Sequence, residues 1–212
     1  MAIEQPDLRD LLIKAGAIQQ GHFDLGNQIH SNAYIKTERI YSGDKAVADA
    51  IAKSMVEKFR FRGGDIDVVL SISAIGTFLS KDIRNILLAM PRFDGLRFER
   101  ARLNQDSKLC VRGGGSRLRS RRILIVEDQI APTEELYKII DGVWKASPKS
   151  VMLGAVFGPE DDIIRKKAGL DRLEVLIPVY VAPARSCSLC QNGEEITALG
   201  QSVTEVYLGP YK

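Results

Sequence analysis

Apolar residues recur along this chain with two periods, and the switching between them outlines the fold. Leu8, Leu11, Leu12 and Ala15 fall on one side of a helix over residues 7–18. Residues 21–38 alternate and carry aromatic positions, broken at Gly26-Asn27-Gln28, and read as two short strands and a turn. Val47, Ile51, Met55 and Phe59 at four-residue spacing predict a helix to about residue 59. Ser42 or Asp44 would cap it, and Arg62-Gly63-Gly64 would end it. Residues 67–73 are apolar enough for a strand buried on both faces. Ala74-Ile75-Gly76-Thr77 reads as a tight loop before a helix over 77–88. Short strands are expected at 96–99 and 108–111, around a mobile basic linker. Gly113-Gly114-Gly115-Ser116 disfavours regular structure. A strand at 123–126, a helix at 133–146, a strand at 151–157, a helix at 161–168 and a strand at 173–179 follow. The tail from Ala182 reads as irregular.

Strand and helix in alternation predict the α/β class, with a parallel central sheet flanked by helices. The 212 residues suffice for a single domain, 1–212. Residues 1–40 and 182–212 pattern differently and are expected to form a small hood together.

Charge changes this picture only locally. A net charge of +3 is too small to argue for nucleic acid or an anionic membrane. Yet Arg97, Arg100, Arg102, Lys108, Arg112, Arg117, Arg119, Arg121 and Arg122 crowd one segment, opposed only by Glu99 and Asp106. No apolar run is long enough to span a bilayer, and no signal-peptide core opens the chain, so a cytoplasmic protein with no membrane partner is expected. Three cysteines, an odd count, suit a reducing compartment.

The candidate chemistry lies at Arg122-Ile-Leu-Ile-Val-Glu-Asp128. Ligands of open parallel sheets bind beyond the carboxyl ends of the strands, where Glu127 and Asp128 fall. Neighbours on a strand point opposite ways, so at most one aims straight at a ligand while the strand stays regular. A structural reading stands beside this: the two acids cap the next helix or pair with Arg121 or Arg122.

Ile-Leu-Ile-Val-Glu-Asp resembles the ribose-binding strand of type I phosphoribosyltransferases. Further stretches narrow the resemblance to orotate phosphoribosyltransferases. Gly21-His-Phe-Asp-Leu25 and His30-Ser-Asn-Ala-Tyr34 resemble the hood motif. Phe98-Glu-Arg100, with Leu109 through Arg112-Gly113, resembles the catalytic-loop region. Cys187-Ser-Leu-Cys190-Gln-Asn-Gly193 resembles the Cys-Pro-Leu-Cys-x-x-Gly of one bacterial and archaeal branch. The resemblance implies transfer of ribose 5-phosphate from phosphoribosyl pyrophosphate (PRPP) to orotate, with magnesium, in a homodimer. It implies that Glu127 and Asp128 hold the ribose hydroxyls, with Asp128 also facing the magnesium of Mg-PRPP. Arg100 and the catalytic Lys108 would meet pyrophosphate, and Arg112 the substrate. The 73–77 loop would give backbone contacts through Ser73, Ala74, Gly76 and Thr77. Phe23 and Tyr34 would sit near the base, and Thr133 in the phosphate loop.

The family pattern breaks after the acidic pair. A Thr-Thr-Gly-Gly-Ser type loop, whose small residues let N–H groups curl around a 5-phosphate, is replaced by Ala131-Pro132-Thr133-Glu134-Glu135. Proline removes an N–H, the permissive glycines are gone, and two carboxylates stand at the rim. Thr133 as N-cap with acids in the first turn is a good helix start that needs no anion. Gly26, Asn27-Gln28, Ser71-Ile-Ser-Ala-Ile-Gly-Thr77 and Arg100-Ala-Arg-Leu-Asn104 depart as well. Three functions stay open. The first is a catalytically degenerate relative that acts as a binding, regulatory or assembly component for a protein or nucleotide, with no cofactor. The second is an active, magnesium-dependent enzyme of pyrimidine biosynthesis. The third is an RNA-associated protein using the arginine-rich segment 97–122.

Cys187 and Cys190 offer half a zinc site, with no second cysteine pair; Cys110, His22 and His30 are distant in sequence. The CxxC is read as a family marker, and its redox use, with Arg185 nearby, as the lesser alternative. His22 and His30 are expected to be hydrogen-bonded hood residues, and Trp144 a core or interface residue.

Overall fold

The computed structural model describes residues 8–26, 28–42, 45–106, 108–159 and 162–197. Its main sheet has six strands in the order β5-β4-β3-β6-β7-β8. These are β3 (Val68–Ser71), β4 (Arg97–Leu103), β5 (Leu109–Val111), β6 (Arg122–Gln129), β7 (Ser150–Gly158) and β8 (Arg172–Pro178). All neighbours run parallel except the β4–β5 hairpin. Alternate residues of the central strands feed opposite cores. Val69, Leu124 and Val126 pack with one side, and Val68, Leu70, Ile123 and Ile125 with the other. That is why β3 and the start of β6 read as unbroken apolar runs.

The first side is covered by α1 (Leu8–Lys14), α3 (Lys45–Phe59) and α4 (Ala74–Leu88); the second by α5 (Glu134–Lys145) and α6 (Asp162–Ala168). Leu136, Ile139, Ile140 and Val143 form the buried stripe of α5 at helical spacing. A second, antiparallel sheet joins β1 (Ile18–Asp24), β2 (Ile29–Ile35) and β9 (Val181–Pro183), with β2 in the middle. Among the described residues, no helix is long and apolar enough to cross a membrane.

The structure corrects several expectations. The first helix ends at Lys14, because residues 18–24 belong to a strand. The loop expected at 74–77 is the first turn of α4, since Ser73 is its N-cap and accepts from the Gly76 N–H at 2.7 Å. A short helix, α2 (Thr37–Ser42), precedes α3 and was not foreseen. The first part of the expected basic linker is strand, since β4 runs on to Leu103 and pairs with β5, and Asn104 N–H donates to the Lys108 carbonyl at 2.9 Å. The glycine stretch makes one 3₁₀ turn at Gly115–Arg117. The described part of the tail is not wholly irregular: after β9 come a 3₁₀ turn at Ala184–Ser186 and α7 (Ser188–Gln191). Asn27 of the first turn, the helix-cap candidate Asp44, Asp161 and the hood segment beyond 197 lie outside the described residues.

Gly142 lets α5 approach β5 closely. A Cβ there would stand 2.5 Å from Leu109 Cβ. Alanine favours a helix interior over glycine by about 1 kcal/mol, but relieving such overlap costs about 1–3 kcal/mol. Gly142→Ala is therefore expected to lower the melting temperature, whereas an exposed-face change such as Lys145→Ala should leave it nearly unchanged; thermal unfolding by circular dichroism checks both.

Candidate functional site

Glu127 and Asp128 lie in the last three residues of β6, next to the turn that follows β3. Both are buried, at 7% and 8% exposure. Glu127 Oε1 accepts from the Ile72 N–H at 2.8 Å and the Ser73 N–H at 3.3 Å. The Ser73 hydroxyl donates to Asp128 Oδ1 at 3.1 Å. Thr37, on α2, also hydrogen-bonds Asp128. Neither acid pairs with Arg122, contrary to one reading of the sequence. That guanidinium grips Asp67 instead, with Nε at 2.9 Å and a terminal nitrogen at 2.8 Å.

Burial raises the pKa of both acids. Desolvation, and then the charge of Asp128, push Glu127 up to about 7 against the opposing hydrogen bonds of Ser73 and Ile72. Asp128 is also raised, by burial first. Tyr41 on α2 lies over the same region. Burial, then the charges of Asp128 and Asp82, raise its pKa, and its hydroxyl is buried without a hydrogen-bond partner among the described residues.

Several backbone donors at residues 72–77 have partners close by. Ser73 N–H goes to Glu127, Gly76 N–H to Ser73 Oγ, and Thr77 N–H to the Ser73 carbonyl. Thr77 Oγ1 donates to the Ser73 carbonyl at 2.9 Å. Its one proton is then used, so the Ser71 hydroxyl is the donor in their 2.9 Å contact. Gly76 is needed for closeness: a Cβ there would meet Ser73 Oγ at 2.7 Å and the Val126 carbonyl at 2.8 Å.

In the segment after β6, the Thr133 hydroxyl and N–H are both turned onto neighbouring residues. Thr133 Oγ1 accepts from Leu136 N–H at 3.2 Å, the N-cap expected from the sequence. Thr133 N–H turns back to the Ala131 carbonyl at 2.7 Å, and Pro132 has no N–H. Glu134 points outward to Lys138 at 2.8 Å, and Glu135 is exposed.

The other candidates are distributed around this centre. Ser73, Gly76 and Thr77 gather at the acids, with Ala74 opening α4. Arg100 is exposed on β4, in register with Ser71 at the end of β3. Lys108 lies at the turn of the hairpin, and exposed Arg112 lies just past β5. Phe23 and Tyr34 are buried at 0% and 3% exposure with ring centroids 5.8 Å apart, so they pack on each other inside the small sheet. Burial, then Glu38, push the Tyr34 pKa up to about 12. Thr37 and Tyr41 were missed from sequence. The available signal was a threonine followed by Glu38, a helix start, but α2 is too short to show a period. Trp144 is half-buried and donates from its indole to the Ala168 carbonyl at 3.1 Å, tying α5 to the end of α6.

No protein-family model matches the chain. Whole-chain likeness does exist. The chain is 24% identical over 204 residues to an orotate phosphoribosyltransferase of Chlorobium phaeobacteroides, covering 96% of this chain and 99% of that protein. It is 32% identical to that of Wolinella succinogenes over 120 residues, 55% of this chain and 53% of the other. Among solved structures, the orotate phosphoribosyltransferase of Aeropyrum pernix superposes with a TM-score of 0.59 at 17% identity, over 81% of this chain and 93% of that one. The UMP synthase of Leishmania donovani gives 0.60 at 15% identity, over 81% and 35%. The chain thus has the type I phosphoribosyltransferase fold. Within that class, its sequence likeness is to orotate phosphoribosyltransferases.

The raised pKa of Glu127 gives a pH signature. The fold holds its proton more tightly than the unfolded chain, so this contribution to stability is full below about 4.5 and lost as pH rises through about 7. Glu127→Gln should therefore lose less melting temperature than the wild type between pH 5 and pH 8, as checked by thermal scans across about that range.

Proposed function

We propose that this chain is an orotate phosphoribosyltransferase-like protein that has lost the family's hold on PRPP and acts as a binding, regulatory or assembly component. One observation carries the reading: the turn after β6, where a 5-phosphate would lie, contains Pro132 and no glycine, and turns the Thr133 N–H and hydroxyl onto its own residues. Thr133 caps α5, its N–H goes to Ala131, and Pro132 offers none. An anion there would meet a turn without flexible glycines that lacks the N–H of Pro132 and has the Thr133 N–H directed elsewhere. The turn over Glu127 supports the reading, since the Ser73 N–H serves a buried carboxylate and the Gly76 N–H a cap. A homodimer is part of this proposal, by likeness to the family.

The second reading is an active enzyme that forms orotidine 5′-monophosphate with magnesium, Glu127 and Asp128 holding ribose and Arg100, Lys108 and Arg112 meeting phosphate. Two observations favour it. Glu134 turns away from the loop toward Lys138, and the likeness to named orotate phosphoribosyltransferases spans nearly the whole chain.

Titration calorimetry with magnesium and PRPP separates the two. No saturable heat is expected from the wild-type chain, and no orotate consumption in a spectrophotometric assay. Pro132→Gly combined with Glu134→Gly and Glu135→Ser should create measurable PRPP binding. Turnover by the wild type at ordinary enzyme rates would overturn the first reading and establish the second.

A further inference from the structure

The hood hairpin and the C-terminal segment, far apart in sequence, bring four metal-ligating side chains to one point. His22 Nε2 lies 2.9 Å from His30 Nδ1. Cys187 Sγ and Cys190 Sγ each lie 3.6 Å from His22 Nε2, and Cys190 Sγ lies 3.2 Å from His30 Nδ1. All four donor atoms fall within 4.8 Å of one another. His22, His30 and Cys187 are buried at 2%, 5% and 0% exposure, while Cys190 closes the outer side.

The backbone explains this meeting. Gly21, at φ 153°, sits where β1 carries one extra residue against β2, between Gln20 and Phe23. The bulge buries His22 and Phe23 in succession, and places His22 two residues before Asp24, the partner of His30. His30 in turn pairs with Ala182 of β9. From there the 3₁₀ turn carries the chain to Cys187, whose carbonyl accepts from Gln191 N–H, and one turn of α7 presents Cys190.

Proton placement points the same way. His22 Nδ1 lies 2.8 Å from the Glu194 carbonyl, which can only accept, so Nδ1 carries the hydrogen. In the neutral ring, Nε2 then aims its lone pair into the cluster. A ring N–H held by a backbone carbonyl is the usual support of a metal-bound histidine. Zinc with Zn–S of about 2.3 Å and Zn–N of about 2.0 Å in a tetrahedron separates its ligands by about 3.3–3.8 Å. The contacts of 2.9–3.6 Å need adjust by only a few tenths of an ångström, and the widest separation in the set, bounded by 4.8 Å, would close by at most about 1 Å.

We propose that His22, His30, Cys187 and Cys190 form a closed Cys₂His₂ site for a structural zinc ion, which clasps the C-terminal segment to the hood. Two thiolates and two imidazoles select zinc over harder cations. Four protein ligands leave no position for a substrate, so the ion fastens rather than catalyses. The site is independent of whether PRPP binds.

The test uses the full-length chain, exposed to Zn²⁺ and then freed of excess metal by gel filtration. Close to one equivalent of zinc per chain is expected by elemental analysis. Co²⁺ in its place should give the visible absorption of a tetrahedral thiolate centre. A thiol reagent should modify exposed Cys110 at once, and Cys187 and Cys190 only after chelation. The Cys187→Ser/Cys190→Ser variant should lose the metal and Cys110→Ser should keep it. If the double variant does not fold, the Co²⁺ spectrum and thiol kinetics of the wild type decide. Well under one equivalent of zinc, or three thiols reacting together without chelator, overturns the proposal.

Discussion

The geometry at the strand ends depends on one buried carboxylate. Glu127 is removed from water, a position that costs several kcal/mol for an ion without partners. It is tolerated because the Ile72 and Ser73 N–H groups converge on one of its oxygens. That pairing fixes how the chain leaves β3. It sets Ser73 where its hydroxyl can both cap α4 and donate to Asp128. The start of α4, the packing of Gly76 over Val126 and the cover given by Thr37 on α2 are arranged around this contact.

Helix N-termini are scarce sources of unpaired donors, and a protein can direct them to a ligand or to itself. Here α4 is capped by Ser73 and α5 by Thr133. A hydroxyl cap stabilises the helix by about 1 kcal/mol whether or not any ligand is present. An anion arriving later must compete with it. Both caps are in place without any ligand, so part of the donor supply at these two helix starts is already committed.

Much of the main sheet was legible because its strands and helices have long, clean periods. The runs leading into Leu70, Val126 and Phe157 are buried on both sides, and α5 shows its stripe plainly. The cap at Thr133 was legible too, since it is a local interaction between neighbours in sequence. Contacts across the chain were not. Ala74 looked like loop because glycine and serine punctuate that stretch, yet Ser73 makes them a helix start. The histidines and cysteines carried no readable spacing, because the Gly21 bulge and β9, rather than a sequence interval, bring them together. Nothing in a linear pattern reveals that Asp128 meets Thr37 across ninety positions.

The small sheet has a consequence for the order in which the molecule can be made. Its middle strand, β2, is synthesised early, but its partner β9 comes only at Val181–Pro183. Until then one edge of β2 has unpaired backbone, and a lone hairpin is marginal in water. The parallel sheet gains its last strand, β8, only just before β9 appears, so both sheets are completed together at the end of synthesis and the amino-terminal strand pair waits for nearly the whole chain. The part made first is among the last to be secured.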